Sequence, residues 1–265
     1  MSLTVLFLGY GRMGAALGEA WLEAGLVARI DAIDPYRTAD VRAQLFRQAA
    51  DLPSQACYDL VVMAVKPAIA REALRAVQPA QLKGATLVSV MAGVGVGTLK
   101  AALPLSCPVV RSMPNTPVMV GQGCTGLYAG DDVPPALRQT IGTLFDAVGK
   151  AFWVDDEEQL HAITAVSGSG PAYYHLFSEA LAAAGARLGL PGELARQLAA
   201  QTALGAATLQ SREGADFAAL RQAVTSPNGT THAAIEVFER DTQLRRLVDD
   251  AVTRATQRSV ELSRD

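Results

Sequence analysis

The apolar run "LTVLFLGYG" leads directly into Gly9-Tyr10-Gly11-Arg12-Met13-Gly14, and helix-forming sequence follows from Ala15 to Ala24. No other feature of the chain restricts its fold as tightly. A G-x-G-x-x-G that closes a strand and opens a helix is the dinucleotide-binding turn of a parallel, doubly wound sheet. Gly9 then serves the tight turn, Gly11 the close approach of backbone to a pyrophosphate, and Gly14 the close packing of helix on strand. Arg12 and Met13 lie where the first N–H groups of a helix are free to meet an anion. The alternative is a glycine-rich turn without a ligand, and the strand-turn-helix setting weighs against it.

The sequence up to about residue 156 supports that fold. "ARIDAID", "DLVVMAV", "ATLVSVMAG", "PVVRSMP" and "AFWVD" are short β-like runs bounded by Gly, Pro or Asp, with helical patterns in several of the gaps. Such alternation predicts an α/β fold, a Rossmann-type parallel sheet covered on both faces. After "VDDEEQ" the β-branched runs nearly vanish and Ala/Leu-rich segments continue to the C-terminus. Residues 1–156 therefore read as a dinucleotide-binding domain, and residues 157–265 as a domain of four or five helices. "GSGP" at 168–171, "GLPG" at 189–192 and a polar break at 225–230 punctuate the second part.

Composition excludes several classes. Half of the 265 residues are hydrophobic, enough for a sizeable core, and the net charge of −3 comes with no block of like charges. Neither a nucleic-acid surface nor an anionic membrane is indicated as a partner. Cys57, Cys107 and Cys124 are odd in number and unclustered, which argues against a disulfide framework and a zinc site alike. The N-terminus lacks a basic leader, and no apolar run approaches the roughly 18 residues of a membrane helix. A cytoplasmic location is the expectation.

Ligands of open α/β sheets lie outside the carboxyl ends of the strands, so those ends supply the remaining cofactor candidates. Asp34 closes the second strand about 20 residues past the last glycine, where a carboxylate hydrogen-bonds the adenosine ribose and repels a 2′-phosphate. That favours NADH, although Arg37 nearby counters the repulsion and a local turn at Asp34-Pro35 is a competing use of the carboxylate. Ala64-Val65-Lys66-Pro67 ends one further strand, and Ala92-Gly93 follows another. Lys66 is either a cofactor contact or a solvated loop residue. Asn115, in the polar stretch "RSMPNTPVMVGQG", is a further ligand contact.

"AVTSPNGTTHAA", residues 223–234, interrupts otherwise helical sequence with Pro, Asn, Gly and four hydroxyls. Turn chemistry explains the break in part. Small hydrogen-bonding groups at the start of the next helix also suit an anion.

Three stretches, "VRSMPNTPVMVGQG", "AVSGSGPAYYHLFSEAL" and "VTSPNGTTHAAIEVFE", stand in that order behind the glycine motif and "AVKP". From residue 4 to about 260 the chain resembles the pyrroline-5-carboxylate reductase family. The resemblance implies a Rossmann domain and an all-helical domain through which two chains interlock as a homodimer, in some members assembling further. It implies hydride transfer from NAD(P)H to the imine carbon of 1-pyrroline-5-carboxylate, giving L-proline. It also places the substrate carboxylate at Gly229, Thr230 and Thr231, lines the pocket with Ser226, and sets Thr231 beside the ring nitrogen. A threonine hydroxyl is too weak an acid to be an efficient proton donor, so Thr231 is expected to orient the nitrogen rather than protonate it. Plain N-capping by the two threonines is compatible with binding. Asn228 replaces the family's first of two glycines, and Asp34 stands where many relatives have a small or neutral residue and accept NADPH.

Three rivals stand beside this reading. A reductase of a related cyclic imine is one. A β-hydroxyacid dehydrogenase would need a lysine in its helical half, yet Lys66, Lys83, Lys100 and Lys150 all precede the boundary. A nucleotide sensor without catalysis would leave the polar break at 226–231 without a use. His161 and His175, in helical sequence, are expected to be structural.

Overall fold

The structure is a computed structural model describing residues 3–37 and 41–264. Elements follow in the order β1 (Leu3–Leu8), α1 (Arg12–Glu23), β2 (Val27–Ile33), β3 (Gln44–Phe46), β4 (Leu60–Met63), α2 (Ala70–Ala76), β5 (Thr86–Ser89), α3 (Val96–Ala102), β6 (Val109–Met113), β7 (Gly123–Ala129), α4 (Pro135–Asp146) and β8 (Gly149–Val154). Helices α5 (Gln159–Ile163), α6 (Gly170–Arg187), α7 (Gly192–Gln210), α8 (Phe217–Ala223), α9 (Thr230–Glu239) and α10 (Gln243–Arg264) complete the described residues. Six helices thus follow the sheet, against the four or five expected. The short α5 and the division of the last segment into α9 and α10 account for the difference.

The strands form one sheet in the order β3-β2-β1-β4-β5-β6-β7-β8. Every pair is parallel except β6 with β7, which is antiparallel. The all-parallel expectation is corrected at that one pair. β7 directly follows β6 through a tight 3-10 segment at Thr116–Val120, and so short a link returns the chain antiparallel. β7 was not legible because "GCTGLYA" carries glycines that strands usually avoid. Those glycines are needed for packing: a Cβ on Gly126 would lie 2.6 Å from Ile163 of α5.

Both faces of the sheet are covered, and the strands read as continuous apolar runs for that reason. Successive side chains of β1 alternate between two cores: Val5 and Phe7 join one with α1 and α4, while Leu6 and Leu8 join the other with α2 and α3. Leu60 and Val62 of β4 go to the first core, Val61 and Met63 to the second. Trp21, fully buried, donates its indole N–H to the Leu144 carbonyl at 2.7 Å and ties α1 to α4.

By packing, the residues up to Ser169 form one unit together with those from Ala255 onward, and Gly170–Arg254 form a second. The boundary read from composition, 156/157, falls earlier because residues 157–169 are helical in sequence yet pack on the sheet, as Leu160 and Ile163 do against Gly126. The last helix belongs to both units. Its final turns join the first through a 2.8 Å hydrogen bond between buried Ser259 and His161 Nδ1.

In the second unit α6 and α7 pair antiparallel through a tight turn at Gly189 (φ +96°), but bury little. Among the described residues, only Gly170, Ala195 and Ala199 are buried on these two helices. Leu176, Phe177, Leu198 and Leu204 are 66, 49, 50 and 61% exposed, a surface that a helical pair in water would not leave open.

Candidate active site

In the first unit the glycine motif sits where the strand order reverses, between β1 and its neighbours β2 and β4. Gly9 has φ +88°, and a Cβ on it would lie 2.7 Å from the Ala64 carbonyl oxygen and 2.9 Å from Val65. Only glycine fits there, and Ala64 and Val65 are thereby set against the turn. A Cβ on Gly14 would meet the Gly9 carbonyl at 2.7 Å, so the helix can approach the strand only without one. Gly11 has nothing within 4 Å of its Cβ position, leaving open space at the tip of α1. No side chain caps that helix, and the first intrahelical bond runs from Ala15 N–H to Gly11 at 3.0 Å. The N–H groups of Arg12, Met13 and Gly14 therefore face the open space with the positive end of the helix dipole behind them. These features fit a dinucleotide pyrophosphate.

Asp34 lies at the end of β2 and both its oxygens are engaged. Oδ2 accepts the Tyr10 N–H at 2.9 Å, and Oδ1 accepts the N–H groups of Tyr36 at 3.0 Å and Arg37 at 3.1 Å. The carboxylate thus serves the local turn and fixes the glycine loop to it. Lone pairs remain for a ribose hydroxyl, so the two uses are compatible. Arg37 Nη1 donates to the Tyr10 carbonyl at 3.2 Å, its guanidinium lies 6.0 Å from the Tyr10 ring centroid, and its buried Nε has no partner.

Tyr10, the variable residue inside the motif, is the hub of this corner. Its ring is fully buried edge-on against Phe7, and its hydroxyl donates to Glu19 Oε1 at 2.9 Å. Burial, reinforced by the Glu19 carboxylate, pushes the phenol pKa up and keeps the group a donor. Glu19 in turn accepts the Arg42 N–H at 2.9 Å. No motif in the sequence marks Tyr10 and Glu19, since pairing across nine positions of a turn and helix has no periodic signature.

Lys66 and Pro67 are exposed after β4, and Ala92 and Gly93 follow β5. Asn115 is buried, and both ends of its amide are used within the protein: Nδ2 donates to the Ser167 carbonyl at 3.0 Å, and Oδ1 accepts the Cys124 N–H at 2.9 Å. Residues Thr164–Gly168 form a π turn. Pro171, four residues after Ser167, has no N–H to give that carbonyl, and Asn115 supplies the missing donor.

In the second unit the polar break is a turn closed by Gly229 N–H on the Ser226 carbonyl at 3.0 Å, with Asn228 left-handed at φ 59°. Asparagine tolerates that conformation, as the replaced glycine would. Gly229 is the N-cap of α9, and a Cβ there would lie 2.6 Å from Ser226 Oγ. The Ser226 hydroxyl therefore faces the helix tip. The first intrahelical bond runs from Ala233 N–H to Gly229 at 3.2 Å, and no side chain caps the helix. The N–H groups of Thr230, Thr231 and His232 are left for an anion. Ser226, Gly229, Thr230 and Thr231 are thus brought together at one tip. His161 is occupied by Ser259, while His175 is exposed.

Among the described residues no group of His, Cys, Asp and Glu is placed to hold a metal, and no helix is long and apolar enough to cross a membrane.

Residues 157–262 match the family model described as pyrroline-5-carboxylate reductase dimerisation, and residues 4–93 match that of NADP oxidoreductase, coenzyme F420-dependent. The chain is 42% identical to the pyrroline-5-carboxylate reductase of Pseudomonas aeruginosa, over 98% of this chain and 96% of that one. It is 39% identical to that of Mycobacterium tuberculosis, covering 97% and 96%. Among solved structures, the enzyme from Coxiella burnetii aligns over 99% of both chains with a TM-score of 0.87 and 33% identity. That from Plasmodium falciparum, solved with NADP bound, aligns over 98% of both with a TM-score of 0.86 and 27% identity. With relatives this similar over its whole length, the chain belongs to the pyrroline-5-carboxylate reductase family.

Proposed function

We propose that the chain reduces 1-pyrroline-5-carboxylate to L-proline with a reduced nicotinamide nucleotide. The observation that carries this reading is the tip of α9, where Gly229 lies against the Ser226 hydroxyl and three unpaired N–H groups form a seat for one carboxylate. When bound, the nucleotide supplies the hydride that reduces the imine carbon. Gly229, Thr230 and Thr231 hold the substrate carboxylate, and the Ser226 hydroxyl borders the same seat. The Thr231 hydroxyl accepts a hydrogen bond from the protonated ring nitrogen and orients it. The ring enters as an iminium, takes up hydride at carbon, and leaves as a secondary amine, so Thr231 has no proton to surrender in the step.

The N–H groups of Arg12, Met13 and Gly14 bind the pyrophosphate, with Ala64 to Pro67, Ala92 and Gly93 along the remaining strand ends. Asp34 gives the site a lean towards NADH, since its fixed carboxylate repels a 2′-phosphate while Arg37 offsets only part of that repulsion. Two copies pair through the apolar faces of α6 and α7, in a reducing compartment such as the cytoplasm where Cys57, Cys107 and Cys124 stay free.

The test mixes purified protein with reduced nicotinamide and pyrroline-5-carboxylate. Consumption of the nucleotide with formation of proline is expected; binding without consumption rejects the reading. Thr231→Ala is expected to lower turnover with nucleotide affinity retained, and unchanged turnover rejects the role of Thr231. Side-by-side initial rates with NADH and NADPH test the lean, which a strong NADPH preference overturns.

A further inference from the structure

The loop that leaves β5 is held from three directions. At its start, Met91 N–H donates to Ser89 Oγ at 3.3 Å. In its middle, Gly93 (φ +77°) lies so close to the last turns of α10 that a Cβ would be 3.0 Å from the Leu262 carbonyl oxygen. At its end, Val96 N–H, the first of α3, donates to Glu157 Oε1 at 2.8 Å. The same Glu157 oxygen accepts Arg111 Nη1 at 2.6 Å. Arg111 lies in β6 with its side chain 8% exposed, and that of Glu157 is 26% exposed.

A cation so buried demands a charged partner, and Glu157 meets that demand. The pair has a second consequence. Because one oxygen serves both donors, Arg111 fixes the orientation in which Glu157 meets the loop. Glu157 lies in the "VDDEEQ" stretch between sheet and helices and in none of the motifs read from the sequence.

We propose that Glu157, oriented by Arg111, is a positioning residue for hydride transfer: it pins the loop carrying Ala92 and Gly93. The proposal rests on the reading above that Ala92 and Gly93 border the nucleotide, and it takes the nicotinamide as the part of the nucleotide that meets this loop. Displacement of a reacting group by about 1 Å costs on the order of a hundredfold in rate, so a loosened loop lowers turnover before it lowers binding.

Val96→Pro tests this directly. Val96 is the first helical residue, where proline is accepted, and Gly95 before it (φ −72°, ψ 157°) already has the extended backbone that proline requires of its predecessor. The variant removes the N–H that Glu157 accepts and leaves the Arg111–Glu157 pair in place. A fall in kcat of about tenfold is expected, with KM for the nucleotide within about twofold and a larger isotope effect on kcat with 4-deuterated nucleotide. Glu157→Gln, which keeps an oxygen for Val96 but loses the charge facing Arg111, is expected to show a smaller fall of the same kind.

An unchanged kcat in Val96→Pro overturns the proposal. So does a loss confined to KM, or one that follows the folded fraction measured by circular dichroism. Ala92→Val separates the two levels: if it leaves kcat and KM unaltered, the placement of the nicotinamide fails and takes the proposal with it. If Ala92→Val impairs catalysis and Val96→Pro does not, only the role of Glu157 is lost.

Discussion

Asn115 donates its side-chain amide to the Ser167 carbonyl at 3.0 Å, a group to which Pro171, four residues on, offers no N–H. A buried carbonyl stripped of this donor keeps the full cost of its desolvation. Asn115→Ala is therefore expected to destabilise the protein by about 1–3 kcal/mol in urea denaturation. Pro171→Ala restores a backbone donor, so the double variant should lose less than the sum of the two. Strict additivity would mean that the two residues do not serve the same carbonyl.

The three motif glycines should respond differently. Gly9→Ala meets both a left-handed backbone and the Ala64 carbonyl, and is expected to cost about 1–3 kcal/mol of stability along with nucleotide binding. Gly11→Ala meets nothing in the protein. It should melt like the parent yet bind the nucleotide more weakly, because its methyl group enters the space read as the pyrophosphate site. Thermal melts paired with a nucleotide titration distinguish the two; equal affinity of Gly11→Ala and parent would remove the pyrophosphate from this turn.

Asp34→Ser tests two uses of one carboxylate. Replacement removes the repulsion of a 2′-phosphate and is expected to raise the NADPH-to-NADH ratio of kcat/KM by roughly tenfold, about 1.4 kcal/mol. It also removes the acceptors of three backbone N–H groups, so the melting temperature should fall at the same time. A shift in preference without any loss of stability would show that the turn does not depend on the side chain.

Asp241 and Thr242, between α9 and α10, are consecutive left-handed residues at φ 51° and φ 56°. A β-branched side chain is strained in that region. Thr242→Gly relieves more strain than it adds in chain entropy, and is expected to stabilise the protein by about 1 kcal/mol in thermal or urea unfolding.

The open apolar faces of α6 and α7 make a concentration-dependent prediction. If a second copy covers them, the melting temperature should rise with protein concentration, and Leu176→Asp combined with Leu204→Asp should give monomers in light scattering. A parent that is monomeric at working concentrations would overturn the proposed pairing.

Much of this architecture can be read from the chain alone, and the exceptions have physical reasons. The six β-like runs appear as strands because both sheet faces are buried, so the sequence carries unbroken apolar stretches rather than alternation. β7 escaped because its glycines answer to Val118 and α5, not to strand propensity. β3 escaped because three residues carry no period. At the sites, the helix tips of α1 and α9 were legible, since glycine and small hydroxyl residues mark them locally. The partners of Asn115, the Tyr10–Glu19 bond and the grip of Glu157 on Val96 were not. Each depends on residues that meet through the fold, at separations where sequence spacing holds no information.

The chain leaves its nucleotide-binding unit after Ser169 and returns to it at Ala255. During synthesis, therefore, the sheet can assemble early, but His161 waits for Ser259 and Gly93 for Leu262 until all the helices between them have been made. The helices between them emerge first. The apolar faces of α6 and α7 are thus exposed before the first unit has received its last contacts.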